Sequence, residues 1–510
     1  MLVKSYGSTL QGIDAITITI EVNVSPGVQM FIVGLPDNAV RESQQRIFSA
    51  FENNKYKIPG KKVIVNMAPA NIRKEGSYFD LPIAVTILAA TEQLVSENLS
   101  EFLIMGELSL DGSLMPIRGA LPMALKAKEE GFKGFILPRR NAKEAAVVEG
   151  LKVYGAESLK EVVDFFNGTG KLEQVTIDIE TEFYDKYADF NIDFSDVRGQ
   201  DGAKRALEVA AAGGHNILMI GPPGAGKTML AKRMGTIMPL MSIEEALETT
   251  KIHSVAGKIG VENGLLTKRP FRSPHHTVSN VALVGGGSNP QPGEISLAHN
   301  GILFLDELPE YSRSVLEVMR QPLEDREITI ARSKYSVRYP ANFMLIASMN
   351  PCPCGYYTHP TKECTCKPGE IKRYMSKISG PLLDRIDIHV EVLPVEFSDL
   401  SQKPKGESSA EIRDRVIKAR AIQAKRFKGT SVYSNAMMGT RQIERYCVID
   451  KRSRELLCAA IEKMNLSARA YHRILKVART IADLEESDVL SFVHVSEAIQ
   501  YRAFDREQGY

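Results

Sequence analysis

Apolar positions along this chain recur with two different periods. In residues 1–168 short β-like runs, the alternating Ala15-Ile-Thr-Ile-Thr-Ile-Glu-Val22 and the apolar Lys62-Val-Ile-Val-Asn66, are set between stretches of helical spacing at 40–53, 81–91 and 120–130. Alternation at every second residue marks strands, and recurrence at three and four marks helices, so this part is predicted as a mixed α/β domain. From 194 to 395 the pattern changes. Runs that are almost unbroken in apolar residues, 216–220, 301–305 and 343–349, alternate with helical segments such as 229–238. Continuous apolar runs of that length are what strands covered on both faces require.

Two polar stretches divide these patterns. Residues 167–191 are acidic and begin Asn167-Gly-Thr-Gly, and 398–409 carry Pro404 and Gly406. Beyond the second lie helical patterns at 410–428, 440–464, 468–485 and 495–502. The expected order is therefore an α/β domain over 1–168, a linker over 169–190, an α/β core over 191–396 and a helical part over 397–510. A length of 510 residues suits about three domains. The formal charge of +2, with 25% charged residues, excludes a chain that coats nucleic acid with its whole surface, so any such contact comes from local patches. The N-terminus lacks a basic flank followed by an apolar core, and no apolar run of membrane length occurs, so a cytoplasmic, membrane-free protein is expected.

The strand-like run 216–220 passes straight into Gly221, Pro222, Pro223, Gly224, Ala225, Gly226, Lys227 and Thr228, with a helical run behind. Glycines at this spacing let backbone N–H groups converge on a polyphosphate. A lysine then reaches the terminal phosphates, and a hydroxyl at the helix start ligates magnesium. ATP and Mg²⁺ are thus expected ligands. The run 301–305 ends in Asp306 and Glu307. Two carboxylates at the end of a buried strand are costly unless they work, Asp306 on magnesium with Thr228 and Glu307 on the attacking water. The run 343–349 ends at Asn350, a neutral group placed to align that water.

Four of the six cysteines, Cys352, Cys354, Cys364 and Cys366, fall within a short polar loop spanning 350–368. Two such pairs suit a structural zinc site, which would fold a segment too polar to fold alone. One-residue spacing within each pair is less usual than two, and free thiols or a redox pair are the other readings of the cluster.

The three strand ends, with a helical region behind them, resemble the AAA+ ATPases. That resemblance implies that Arg385 is the arginine finger entering a neighbouring subunit's site and that Arg469 is the sensor arginine of a helical lid. Arg473 lies one turn along from Arg469 and competes for its role. Gln200 falls in the segment that contacts adenine. The insert with Arg269-Pro-Phe-Arg-Ser-Pro-His-His-Thr277 and a hairpin pattern over 327–338 resemble the magnesium-chelatase and replicative-helicase branch, whose hairpins line a hexamer's pore. There Arg332, Lys334, Lys268, Arg269 and Arg272 would grip a sugar-phosphate backbone. A solvated hairpin face is the plainer reading.

Residues Arg73-Lys-Glu-Gly-Ser-Tyr-Phe-Asp-Leu-Pro82 and 106–120 resemble the protease domain of Lon, which uses a serine activated by a lysine. In the alignment the serine position falls on Tyr78, with Ser77 one residue early, and the lysine position on Leu121, so no peptidase is expected. The order Lon-like α/β domain, AAA+ core with pore hairpins and helical lid resembles the bacterial YifB/ComM family over nearly the whole chain. Membership implies a homo-hexamer, assembled on ATP and DNA, that moves on single-stranded or branched DNA. It further implies branch migration in recombination or natural transformation, with recombination proteins as partners. A magnesium chelatase-type ATPase subunit and a protein-remodelling ATPase are the alternatives.

Overall fold

The computed structural model describes residues 2–502 except 180–190, 261–263, 288–289, 333–334, 358, 360, 395–405 and 465. They fall into two compact units. One draws on Met1–Tyr187, Ser242–Thr267 and Pro290–Pro292, the other on Ala188–Met241, Lys268–Asn289 and Gly293–Tyr510.

The first unit is built on an eight-stranded mixed sheet. Its order is Glu173–Val175, Lys152–Ala156, Gly134–Pro138, Phe102–Ile104, Leu2–Gln11, Asp14–Ser25, Lys62–Ala68, Met30–Val33. Asp14–Ser25 runs antiparallel to both neighbours, as its length and alternation suggest. Helix Asp80–Ala90 is buried along its whole length, which its almost unbroken apolar sequence requires. Its one charge, Asp80, is held by both nitrogens of an Arg46 fork at 2.6 and 2.9 Å.

Two features depart from the division expected from sequence. Glu173–Val175, inside the segment read as linker, pairs with Lys152–Ala156 as the sheet's edge strand. Its exposed polar residues carry no alternation by which to find it. Helix Ile243–Val255, which lies within the 191–396 stretch, belongs to the first unit. There the Ser254 hydroxyl donates to Glu144, the Ser254 carbonyl accepts the Gly119 N–H at 3.1 Å, and Lys251 pairs with Asp14 at 2.5 Å. Sequence proximity to the phosphate loop concealed this, because the partners lie more than 100 residues upstream.

The second unit carries a five-stranded, all-parallel sheet in the order Phe271–Arg272, Ile302–Leu305, Met344–Met349, Ile217–Ile220, Ile388–Glu391. Three of these strands are buried at every position, as the continuous apolar runs predict. Glu327–Arg332 and Tyr335–Pro340 form the expected antiparallel hairpin. The C-terminal helices Ser409–Arg426, Thr440–Tyr446, Lys451–Met464, Ala468–Leu484 and Phe492–Gln500 do not separate from this sheet. Ile412, Val416, Val477 and Ile481 share one apolar core with Ala206, Ala210 and Ile217. A second tie is ionic. Asp387, just before the last strand, accepts from Arg473 at 2.5 Å and meets His215 Nδ1 at 3.2 Å.

Candidate nucleotide and metal site

In a parallel sheet the carboxyl ends of the strands open onto one edge, where ligands bind. Ile217–Ile220, Ile302–Leu305 and Met344–Met349 are neighbours there, so the loops that follow them converge. After the first comes the phosphate loop and helix Lys227–Ile237, capped by Gly226 at φ +87°. A Cβ at Gly221 would meet the Val392 carbonyl oxygen at 2.2 Å, so the close passage of the two chains admits only glycine.

Lys227 Nζ donates to the carbonyls of Gly221 at 2.7 Å and Pro222 at 3.0 Å and to Asn350 Oδ1 at 3.0 Å. Those oxygens take the directions that polyphosphate oxygens would use. Burial lowers the Lys227 pKa, and the carboxylates of Asp306 and Glu307 oppose that shift. Thr228 Oγ1 donates to Asp306 Oδ2 at 2.7 Å, bringing together the two magnesium ligands expected from sequence. The Ser348 hydroxyl donates to the other oxygen of Asp306, fixing the carboxylate's plane.

Glu307 sits at φ +53°, in the left-handed region, and its side chain is 58% exposed. His276 Nδ1 stands 3.8 Å from its carboxylate, on a loop held by the Tyr311 hydroxyl through the Pro274 carbonyl at 2.6 Å. The Gln200 amide donates to the Ala225 carbonyl at 2.6 Å and the Leu393 carbonyl at 3.1 Å, while its Oε1 is buried and unpartnered among the described residues. A buried acceptor with no donor fits a ligand that brings an N–H, as adenine does. The residues present thus suit ATP and Mg²⁺. The phosphate loop and Lys227 would hold the phosphates, Thr228 and Asp306 the metal, and the pair supplies charge stabilisation to phosphoryl transfer.

The arginines lie in three different settings. Arg385 is only 7% exposed, its Nη1 on the Pro381 carbonyl at 2.6 Å and its Nη2 on Glu324 at 2.7 Å. In the single chain it is folded inward instead of protruding. Arg473 is engaged with Asp387, whereas Arg469 stands exposed at the start of helix Ala468–Leu484. Of the residues expected to meet DNA, Arg269 spends its guanidinium on three backbone carbonyls, those of Pro239, Leu240 and Asn300. Arg272 makes a two-point ion pair with Glu294 at 2.6 and 2.8 Å. These two brace the fold around the site. Lys268 precedes them in the same segment, Arg332 closes the first hairpin strand, and Lys334 lies outside the described residues.

The four cysteines meet. Sγ atoms of Cys352, Cys354, Cys364 and Cys366 lie within 4.8 Å of one another, with separations of 3.3, 3.7 and 3.6 Å among the first three. Tetrahedral zinc, with Zn–S bonds of about 2.3 Å, needs edges of about 3.8 Å. The donor set and its size therefore fit zinc. Crowded thiols divide their protons unevenly. Against burial, the Tyr356 backbone and the Cys352 thiol bring Cys354 down to about 5, while Cys366 is pushed up to about 12 despite the Cys354 N–H. A divalent cation would relieve the conflict by taking all four as thiolates.

Beside Glu307 and Asn350 opens a cavity of 570 Å³, lined also by Pro353, Arg373, Tyr374 and Lys377. Of these contributors sequence reasoning singled out only Glu307 and Asn350, and it also missed His276 and Ser348 as side chains with roles. Ser348 was legible, since it lies two residues before Asn350 and strand residues two apart share a face. Tyr374 was not, since only folding of the cysteine loop returns it to Asn350.

In the N-terminal unit Ser77 opens a 3₁₀ turn and Leu121 is fully buried. Lys74 is buried too and donates to the Pro69 carbonyl.

The magnesium chelatase family, subunit ChlI, matches residues 193–400. Its companion descriptions, subunit ChlI of Mg-chelatase and the ChlI C-terminal region, match 20–141 and 406–502. The chain is 44% identical to competence protein ComM of Haemophilus influenzae over 504 residues, covering 98% of this chain and 97% of that one. It is 43% identical to the YifB protein of Escherichia coli over 498 residues, covering 97% and 96%. Lon protease 2 of Bacillus subtilis is 28% identical over 157 residues, 28% of this chain and 27% of that one. With three strand ends arranged as an ATP site and matches over nearly the full length, the chain belongs to the YifB/ComM family of magnesium-chelatase-like AAA+ ATPases.

Proposed function

We propose that this protein is an ATP-driven DNA motor, a homo-hexamer that translocates on single-stranded or branched DNA and promotes branch migration in recombination or natural transformation. The observation that carries the reading is the convergence of Lys227, Thr228, Asp306, Glu307 and Asn350 at one sheet edge, in a chain similar to a competence protein. Competence concerns incoming DNA, and a ring ATPase acts on a polymer threaded through it. The hairpin Glu327–Pro340, with Arg332 at the end of its first strand and Lys334 two residues on in sequence, is the element proposed to grip the backbone.

The N-terminal unit is proposed as a scaffold without peptidase activity, because an unactivated hydroxyl is a poor nucleophile. Arg385 is proposed to leave Glu324 and serve the neighbouring subunit's ATP when the ring assembles. Arg469 takes the lid's sensor role, since Arg473 is committed to Asp387. The chelatase reading has one observation of its own, the chelatase subunit descriptions that match all three parts of the chain.

Strand displacement and four-way-junction assays on wild type and Lys227→Ala, beside particle sizing with and without ATP and DNA, test the proposal. ATPase activity that rises with branched DNA, with unwinding lost in Lys227→Ala, is expected. Hydrolysis indifferent to every DNA form, in a chain that stays monomeric, overturns it.

A further inference from the structure

The thiol cage and the hydrolysis site are joined by the chain at both ends and by contact between them. Asn350, whose side chain accepts from Lys227, stands two residues before Cys352. Gly355, inside the cage loop at φ +84°, is so near the phosphate loop that a Cβ there would lie 2.5 Å from Pro223 Cδ. Helix Pro368–Met375 begins two residues after Cys366. Its Tyr374 is buried and lines the same cavity as Asn350, whose backbone N–H opposes the rise that burial gives the phenol's pKa. The same helix and the turn after it bring Arg373 and Lys377 to the cavity that Glu307 and Asn350 share.

Among the described residues between Asn350 and this helix, Pro351, Cys352 and Gly355 are buried, but Pro353, Glu363, Thr365 and Lys367 supply little apolar surface. Ordering a residue costs on the order of 1 to 2 kcal/mol, and such a segment has no core of its own to offset it. What joins its two ends is the set of four sulfurs.

We propose that a zinc ion held by Cys352, Cys354, Cys364 and Cys366 is a positioning device for ATP hydrolysis. By fixing the loop it sets Tyr374 against Asn350, and Asn350 against Lys227 and the attacking water. Nucleotide binding is left to the phosphate loop, whose glycines, preceding strand and following helix hold it independently. Tyr374 is a positioning residue here, acting through Asn350. The inference rests on the ATPase reading of the same site.

The test uses the full chain, purified without a tag. Metal analysis, affinity for a non-hydrolysable ATP analogue and steady-state hydrolysis without DNA are measured on three samples: native protein, chelator-treated protein before and after zinc return, and Tyr374→Phe. We expect about one zinc per chain. Stripping lowers kcat about tenfold or more while analogue affinity moves less than about threefold, and zinc restores the rate. Tyr374→Phe keeps its zinc and its affinity yet loses part of kcat. That split between kcat and binding is one that general destabilisation does not produce. Should stripping unfold the chain, Tyr374→Phe with full metal content decides alone. Native protein without zinc, or unchanged kcat in folded stripped protein or in Tyr374→Phe, overturns the inference and leaves the ATPase reading standing. Metal-loaded wild type that never hydrolyses ATP sinks both.

Discussion

Lys227 Nζ lies 3.0 Å from Asn350 Oδ1, joining the phosphate loop to the end of the next strand. The distance is a product of the sheet, because Ile217–Ile220 and Met344–Met349 are adjacent and parallel, with Ile220 opposite Met349. Strands spaced about 4.8 Å apart bring the residues just past their ends within reach of one another. The two residues nevertheless differ in what they do. Lys227→Ala removes charge that both bound ATP and the transition state use, so affinity and rate should both collapse. Asn350→Ala removes alignment of the water and of the lysine, so kcat should fall about 100-fold with affinity nearly intact. Calorimetric titration with a non-hydrolysable analogue, beside phosphate-release rates, separates the two patterns.

Glu307 is the exposed partner of an anchored carboxylate. Asp306 is pinned by Thr228 and Ser348, whereas Glu307 projects from a left-handed turn, with His276 3.8 Å from its carboxylate. A base that must swing to a water needs that freedom. Glu307→Gln keeps size and hydrogen bonding but cannot take a proton, so hydrolysis should fall by about 100-fold to 10,000-fold while ATP stays bound. The variant should therefore hold any nucleotide-dependent assembly together longer than wild type, which light scattering after ATP dilution reads directly. Assembly that decays at the wild-type rate argues against Glu307 as the base.

Much of this site was legible in sequence because each part ends a fully buried strand, and such strands announce themselves as unbroken apolar runs. The glycine spacing, Asp306, Glu307, Asn350 and the cysteines are all local patterns. What escaped depends on returns of the chain. Tyr374 reaches Asn350 only after the cysteine loop closes, and the apolar spacing around Tyr374 reads as an ordinary amphipathic helix. Helix Ile243–Val255 follows the phosphate-loop helix in sequence, yet it belongs to the first unit, where its Ser254 and Lys251 find Glu144 and Asp14. Arg269 and Arg272 looked like free cations. Their partners are backbone carbonyls and one distant glutamate, which no local pattern specifies.

Asp387 ties the sheet to the C-terminal helices, and its titration predicts a pH dependence. Burial opposes its ionisation, but Arg473 and His215 outweigh that and hold its carboxyl far below the usual range. The His215 pKa is lowered, first by burial and then by Lys476 and Arg420, with Asp387 opposing. Both folded-state values lie below the unfolded ones, about 6.5 for histidine and 3.9 for aspartate. The unfolded chain therefore binds more protons as pH falls, and stability is lost on acidification. His215 contributes from about pH 6.5 downward and Asp387 below about pH 4. Thermal midpoints should be flat above neutrality and decline between pH 7 and 5, with His215→Gln flattening that decline. Asp387→Asn leaves Arg473 without its counter-charge and should cost about 3 kcal/mol at neutral pH, seen as an earlier urea transition.

The hairpin Glu327–Pro340 offers the last prediction, because its role divides cleanly from that of the ATP site. Arg332 ends its first strand and Lys334 follows two residues on in sequence, apart from the residues assigned to the phosphates. If they grip a polynucleotide backbone, each supplies counterion release and no sequence preference. The double variant Arg332→Ala/Lys334→Ala should keep basal hydrolysis and lose its stimulation by DNA. Its binding to single-stranded DNA should also depend less on salt, the slope of log affinity against log salt falling by about 1 for each cation removed. Arg272→Ala should behave differently. Its guanidinium is committed to Glu294, so its loss should lower the melting temperature and leave the salt slope alone. A double hairpin variant with wild-type salt slope and full DNA stimulation removes the hairpin from the DNA path.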